Sequence, residues 1–216
     1  MKNIAVVATN KLFRSNLNNE LERLSKFGWK VYVLTDKPDE YKDLHAEQYN
    51  YTIFSYVDKI LFPIRISENI KQGILYVDVD RIQDLSDEFL TSGCESNSFL
   101  YTSKWPTCEY ITFVKSNYFD ILIEYFESIN YDYTKLPCLL EQIFYVPYSP
   151  DLHRVRLDIE HVKPILEYIS IINKLPSPGV GTGEGVALAF GILANNFKLN
   201  TFENAPQKQY KTNRFI

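Results

Sequence analysis

The sequence predicts a single-domain α/β protein that begins with a parallel βαβ unit. Residues 1–35 contain an apolar strand, an amphipathic helix and a second apolar strand, which is the pattern of a right-handed βαβ unit. A further apolar run, Ile74–Val77, ends in two aspartates one residue apart, Asp78 and Asp80. This pattern is expected of a buried parallel strand with polar groups at its carboxyl end. The chain of 216 residues can form one good core but is too short for two ordinary domains.

Hydrophobic periodicity predicts the first three elements. Ile4–Ala8 is a short buried strand, and Lys30–Leu34 is the second strand. Between them we predict a helix with Ser15 or Asn16 as its N-cap and Gly28 as its end. The apolar face of this helix consists of Leu17, Leu21, Leu24 and Phe27.

The later elements are expected to be more mixed. Further strands are predicted at Tyr51–Tyr56, Asn97–Thr102 and Tyr110–Val114. Helices are predicted over Ile64–Ile70, along a face formed by Phe119, Leu122, Ile123, Phe126 and Ile129, from Pro164 onward, and over the apolar segment Gly185–Ala194. The charged segment Asp151–Lys163 is predicted to be solvated. The Pro- and Gly-rich stretch 176–185 interrupts one domain without dividing two, and Gly179–Gly185 within it is predicted to be a mobile loop lining an acceptor cleft.

Composition excludes several classes of protein. With 27 acidic and 23 basic residues the net charge is −4, and no basic stripe is present, so nucleic acid is not an expected partner. Three cysteines, Cys94, Cys108 and Cys138, have no metal-like spacing, which predicts free thiols in a reducing compartment. No apolar run approaches the ~18–20 residues of a membrane span. Ile4–Ala8 is too short for a signal-peptide core, so we expect a soluble, cytoplasmic protein.

The two aspartates after the Ile74–Val77 strand indicate a metal site. Two carboxylates with little solvent around them repel each other unless a cation lies between them. Paired carboxylate oxygens suit a hard divalent ion such as Mn²⁺ or Mg²⁺, which often also binds substrate phosphates. Asp78 and Asp80 therefore predict a site for a metal ion and a diphosphate.

Several motifs together resemble the GT-A glycosyltransferases. The segment Val6–Lys11 is similar to the opening strand of that fold, whose tip, here Ala8, Thr9 and Asn10, holds the uracil and ribose. Val33–Asp36 is similar to the second strand, which likewise ends in an acidic residue, here Asp36. Arg65 matches an arginine that precedes the Asp-x-Asp in several retaining families, and Glu141-Gln142 resembles an acidic–Gln pair in the acceptor half. The resemblance implies a Rossmann-like half over residues 1–102, an acceptor-binding half over 103–216, and a mixed central sheet flanked by helices.

This resemblance also implies an activity and a set of site residues. A hexose or deoxyhexose would pass from a UDP-sugar to a sugar on a glycan or glycoprotein, with retention of configuration favoured. Asp80 is the expected direct metal ligand and Asp78 a shared one, with Val79 between them at the nucleotide, and Arg65 would hold a phosphate or sugar hydroxyl. The implied catalytic residues are Asp78, Asp80, Glu141 and Gln142. The implied acceptor contacts are Trp105, as a sugar platform, and Glu184.

One departure from the family concerns the third metal ligand. Metal-using members often add a histidine near the C-terminus, whereas here the histidines are His45, His153 and His161. Water or diphosphate oxygens then complete the metal site, or the chain is one unit of a longer multidomain polypeptide. The resemblance extends to glycosyltransferase domains of large chlorella-virus proteins, which would place the protein in the host cytoplasm, in the glycosylation of viral proteins.

Two other functions are open from the sequence. A haloacid-dehalogenase-type phosphatase also uses a strand-borne Asp-x-Asp, but there the pair opens the fold, and no Gly-Asp-x-x-x-Asp follows here. A non-catalytic module could bind a sugar nucleotide or glycan without turnover. Single residues also keep structural alternatives: Asp36 as a turn residue, Arg65 on a helix surface, Trp105 in the core or rim, and Glu141-Gln142 on the exposed stripe of a buried helix.

Overall fold

A mixed seven-stranded sheet flanked by helices forms the centre of the protein. The computed structural model describes residues 2–48, 55–102, 104–105, 120–139, 142–172 and 184–203. The strands of the main sheet are β1 (Asn3–Ala8), β2 (Lys30–Thr35), β3 (His45–Gln48), β4 (Ile74–Val77), β5 (Phe99–Tyr101), β8 (Ile143–Val146) and β9 (Leu199–Thr201). A separate antiparallel pair consists of β6 (Lys104–Trp105) and β7 (Cys138–Leu139).

Six α-helices accompany the strands in the described part of the chain. They are α1 (Lys11–Lys26), α2 (Tyr56–Ile70), α3 (Asp87–Ser92), α4 (Asp120–Ser128), α5 (Leu152–Ile172) and α6 (Glu184–Ala194). Short 3-10 helices occur at Pro38–Tyr41, Val79–Asp84 and Tyr133–Lys135. None of the helices in these ranges combines the length and hydrophobicity that crossing a membrane requires.

The main sheet has the strand order β3-β2-β1-β4-β8-β5-β9. Strands β3, β2, β1 and β4 are parallel to one another, whereas β8 is antiparallel to both β4 and β5, and β9 is parallel to β5. From β1 the chain continues to β2 and β3 on one side and later places β4 on the other. The strand order therefore reverses between β1 and β4, which is where α/β sheets usually bind ligands.

Helices cover both faces of the sheet, so β1 is buried on both sides. Ala5 and Val7 belong to one apolar cluster, together with residues of α2, α4, α5 and α6. Ile4, Val6 and Ala8 belong to the other cluster, with residues of α1, α3 and the 3-10 helix Val79–Asp84. Burial on two faces explains why the strand is a continuous apolar run in the sequence.

The predicted strand–helix–strand beginning of the chain is confirmed, with one correction at the helix start. Strands β1 and β2 pair in parallel, and α1 ends just before Gly28, whose φ is 76°. The N-cap is Asn10, not Ser15 or Asn16. The Asn10 side chain accepts a hydrogen bond from the Phe13 backbone N–H at 3.0 Å, so the helix begins before its buried apolar stripe.

Around α2, the structure moves the predicted third strand and confirms the predicted helix. A third strand exists, but it lies at His45–Gln48, and Tyr56, the last residue of the predicted strand, begins α2. Residues 49–54 lie outside the described residues. The helix expected over Ile64–Ile70 is confirmed as part of α2, which is longer because it starts at Tyr56 and runs through Pro63. The strand prediction at Asn97–Thr102 is confirmed by β5, whereas Tyr110–Val114 lies outside the described residues.

The second half also contains a longer helix than expected. Asp151–Lys163 is not simply a solvated segment, since α5 begins at Leu152 and continues through Pro164, which was expected to open the helix. The buried residues of α5 recur at intervals of three and four: Leu152, Val155, Ile159, Val162, Leu166 and Ile169. The alternative of a helix around Glu141-Gln142 is wrong, because the described residues on either side form β7 and β8. The buried apolar helix expected at Gly185–Ala194 is confirmed as α6.

Candidate functional site

A cleft of about 200 Å³ opens at the carboxyl ends of β1 and β4, where the strand order reverses. It is lined by residues from the end of β1 and the start of α1, from α2, and from the end of β4 and the turn after it. These residues are Val7, Thr9, Phe13, Lys59, Tyr76, Asp78, Val79 and Asp80. Both members of the predicted Asp-x-Asp pair therefore face the same cleft.

The turn after β4 places the two aspartates in different environments. The Asp78 backbone N–H donates to the Gln142 carbonyl at 2.8 Å, and the Asp78 carbonyl accepts from the Arg81 N–H at 2.8 Å. These bonds connect the strand end to the 3-10 helix Val79–Asp84, whose Val79 side chain is buried. As a result the Asp78 side chain is 24% exposed, whereas Asp80 is exposed at the rim of the cleft.

The Asp78 carboxylate is held by two neighbours deep in the cleft. The Tyr76 hydroxyl donates a hydrogen bond to Asp78 Oδ1 at 2.7 Å. The Lys59 ammonium lies 3.7 Å from the same oxygen, and its side chain is only 6% exposed. Tyr76 is itself fixed by stacking on Phe144, with ring centroids 4.9 Å apart. The carboxylate thus has a defined orientation and a positive charge beside it.

Lys59 reduces the repulsion between Asp78 and Asp80 that the sequence predicts. The expected repulsion required two carboxylates with little solvent and no cation of the protein between them. In the structure Asp80 reaches solvent, and the Lys59 ammonium offsets the charge of Asp78. The pair can therefore form without a metal ion, and any metal that binds there meets a site already partly neutralised.

Sequence reasoning missed Lys59, although a signal was present. It lies between Val57 and Phe62 in α2, in a run whose apolar members are all buried. A lysine within such a run must be buried with a partner or reach a surface through its long side chain. Its contact with Asp78 depends on how α2 packs against β4, which periodicity alone does not predict.

The predicted nucleoside residues lie at or next to the cleft. Thr9 lines it, Ala8 is buried at the end of β1, and Asn10 caps α1. Asp36, at the end of β2, is paired with Arg14 of α1. That ion pair raises the pKa of the Arg14 guanidinium, chiefly through the side-chain hydrogen bond to Asp36. Asp36 does not line the cleft itself.

Among the other predicted residues, Gln142 lies beside the cleft and Arg65 does not line it. Gln142 accepts the Asp78 backbone hydrogen bond. Arg65 follows Lys59 by six positions in α2, which places it about 9 Å further along the axis and about 120° around it. Glu141 lies outside the described residues.

The two predicted acceptor contacts belong to β6 and α6. Trp105 lies in β6, where its backbone pairs with Cys138; its side chain is outside the described part of the structure. Glu184 is buried at the start of α6. The next residue, Gly185, lies against the backbone of Leu139 in β7.

The carboxylates of the cleft suit a metal ion whose ligands come partly from the protein and partly from a substrate. In the described part of the chain, no group of three or more His, Cys, Asp or Glu side chains could hold a metal ion by itself. Two carboxylates, Asp78 and Asp80, line one cleft, and Mg²⁺ is commonly bound by one or two carboxylates together with substrate phosphates and water. His45 lies in β3, and His153 and His161 lie in α5.

Comparison with known proteins leaves the chain without an assigned family. No family model matches it, and no curated protein matches it significantly.

Proposed function

We propose that the protein is a metal-assisted glycosyltransferase of the GT-A fold, transferring a hexose or deoxyhexose from a UDP-sugar to a sugar on a glycan or glycoprotein. The observation that carries this proposal is the pair Asp78 and Asp80 in a cleft where the strand order reverses. The carboxyl end of β1, with Thr9, forms the adjoining wall, so a nucleotide and its phosphates can lie across the two strand ends. The mixed sheet flanked by helices also agrees with what the family resemblance implies.

The cleft residues have distinct roles in this proposal. A bound Mn²⁺ or Mg²⁺ would supply Lewis-acid stabilisation of the negative charge on a departing nucleoside diphosphate. Asp80, which is exposed, would hold the ion directly, and Asp78, oriented by Tyr76, would be the shared ligand. Thr9 contacts the nucleoside at the end of β1. Gln142, whose backbone carbonyl accepts a hydrogen bond from the Asp78 N–H, would stabilise the reacting sugar from the side opposite the leaving group.

Calorimetric titration tests the proposal most directly. UDP, UDP-glucose and GDP-mannose are titrated into the protein with and without Mn²⁺, and we expect the UDP compounds to bind only with the metal. Asp80→Asn should abolish this binding while leaving the thermal unfolding temperature within about 2 °C of wild type, because the side chain is exposed. Asp43→Asn, another exposed aspartate that does not line the cleft, is the matched control and should bind as wild type does.

The outcomes separate the possible functions. If no nucleotide binds, or if Asp80→Asn binds UDP as tightly as wild type, the assigned site is wrong. Metal-dependent binding of a UDP-sugar that is never consumed, with water or with any sugar acceptor present, would instead indicate a non-catalytic sugar-nucleotide module. Hydrolysis of phosphate monoesters, lost in Asp78→Asn, would indicate the phosphatase chemistry.

A further inference from the structure

The cleft contains a buried cation that the proposed function does not yet use. Among the described residues that line it, Lys59 is the basic one, and Asp78 and Asp80 are the acidic ones. The Lys59 side chain is 6% exposed and its ammonium lies 3.7 Å from Asp78 Oδ1. A charge that is nearly removed from water acts more strongly on its neighbours than an exposed one, because solvent screens it less.

We infer that Lys59 makes the cleft select a complex of metal and diphosphate over the free metal ion. This inference rests on the proposed function. The Lys59 ammonium has two opposite effects. It weakens binding of a divalent cation to the nucleotide-free protein, and it strengthens binding of the nucleoside diphosphate.

The first effect follows from the charge balance of the site. With Lys59 present, the carboxylates and the ammonium together carry one net negative charge instead of two. The ammonium lies close to the Asp78 carboxylate, so a cation bound to that carboxylate is also held near a like charge and is repelled by it. The nucleotide-free cleft is therefore a poor site for Mn²⁺, although both aspartates are in place.

The second effect follows from the charge of the ligand. A diphosphate carries several negative charges, which a single divalent ion does not fully neutralise. A lysine on the wall of the same cleft places a positive charge near those oxygens. Lys59 then interacts favourably with the diphosphate as well as with Asp78, and the metal ion enters together with the diphosphate.

A lysine-to-methionine exchange tests both effects in one protein. Lys59→Met keeps the unbranched shape and most of the length of the side chain and removes its charge. We expect the nucleotide-free variant to bind Mn²⁺ roughly tenfold more tightly than wild type, measured by the electron paramagnetic resonance signal of free Mn²⁺. At saturating Mn²⁺, the same variant should bind UDP roughly tenfold to hundredfold more weakly in calorimetric titration.

Two further variants keep the test informative if Lys59→Met is destabilised. Lys59→Arg retains the positive charge and should stay within about threefold of wild type in Mn²⁺ affinity. Lys163→Met removes the lysine of an ion pair between α5 and α2, in which Lys163 Nζ lies 2.7 Å from Oδ1 of the buried Asp58. That pair does not line the cleft, so this variant should lose stability without changing either affinity.

The two measurements distinguish failure of the inference from failure of the proposed function. If wild type binds Mn²⁺ and UDP together, but Lys59→Met lowers both affinities in parallel, Lys59 only maintains the shape of the site and the inference is wrong. Unchanged affinities in Lys59→Met would also overturn it. If wild type binds no UDP even at saturating Mn²⁺, the proposed function fails, and the inference fails with it.

Discussion

Replacing Tyr76 with phenylalanine removes one hydroxyl from the floor of the candidate site. That hydroxyl donates to Asp78 Oδ1 at 2.7 Å, and the tyrosine side chain is almost fully buried in contact with Phe144. Phenylalanine keeps the ring and its stacking, so the change mainly deletes a hydrogen bond to a charged acceptor. We expect Tyr76→Phe to lower the free energy of unfolding and to loosen the orientation of Asp78.

The size of the effect follows from the charge and exposure of the acceptor. Hydrogen bonds to charged groups contribute about 1.5–3 kcal/mol to stability. Because the Asp78 side chain is 24% exposed, water can replace part of the lost bond, and we expect a loss near the lower limit, about 1.5 kcal/mol. For a chain of this length, such a loss corresponds to a decrease of roughly 3–6 °C in the unfolding temperature.

Urea denaturation of four proteins measures this interaction directly. Wild type, Tyr76→Phe, Asp78→Asn and the double variant form a thermodynamic cycle, and we expect a coupling free energy of about 1 kcal/mol between the two side chains. Tyr41→Phe is the matched control, since Tyr41 is also buried but its hydroxyl is 3.4 Å from the Arg14 carbonyl, a weak neutral contact. It should cost no more than about 0.5 kcal/mol.

Two results would refute the reasoning about Tyr76. One is a cost of Tyr76→Phe no greater than that of Tyr41→Phe. The other is an undiminished cost of Tyr76→Phe when Asp78 is already replaced by asparagine, which would show that the hydroxyl stabilises something other than the carboxylate.

Two further predictions concern the rest of the fold. Gly185→Ala should lower the free energy of unfolding by about 1–3 kcal/mol, because a Cβ there would lie 2.1 Å from the backbone carbonyl oxygen of Leu139; a urea midpoint equal to that of wild type would contradict this. Stability should also fall as the pH rises above about 9. Burial raises the pKa of Cys94 from 9.0 to about 12 and that of Tyr145 from 10.0 to about 12. The unfolded chain therefore releases these protons at a lower pH than the folded protein does. Urea midpoints that are constant from pH 8 to 11 would show that the burial of Cys94 and Tyr145 does not make stability depend on pH.

Elements buried on both faces were the predictable part of the fold. β1, β2, β4 and α6 are continuous apolar runs because each is enclosed on all sides, and a run of this kind is visible in a single sequence. The third strand was misplaced for the opposite reason. Among the described strands, β3 pairs with β2 alone and lies at the edge of the sheet, so its sequence, His45–Gln48, needs no apolar run.

Surface charge concealed α5. Arg154 and Arg156, with the acidic residues around them, suggested a solvated segment, and Pro164 suggested a helix start. The sequence signal that does indicate the helix is the apolar stripe from Leu152 to Ile169, whose members are spaced three and four residues apart.

The candidate site was predictable only where its residues follow directly from a strand end. Thr9, Asp78, Val79 and Asp80 meet in one cleft because the carboxyl ends of β1 and β4 are adjacent. Lys59 reaches that cleft from α2, and its role depends on helix packing that no local pattern encodes.

The position of β8 has a consequence for how the chain assembles as it is synthesised. β8 separates β4 from β5, although it comes much later in the chain than either. Until residues 143–146 have been synthesised, β4 lacks its β8 neighbour on one edge. β5 joins the main sheet by pairing with β8, so it cannot take its final place before then. We expect the ribosome-bound first half of the chain to expose an unpaired, aggregation-prone edge of β4 beside the candidate site. Gln142, directly before this late strand, also supplies the backbone carbonyl that accepts a hydrogen bond from the Asp78 N–H; the pairing of β4 and the fixing of the Asp78 backbone therefore depend on the same late segment of the chain.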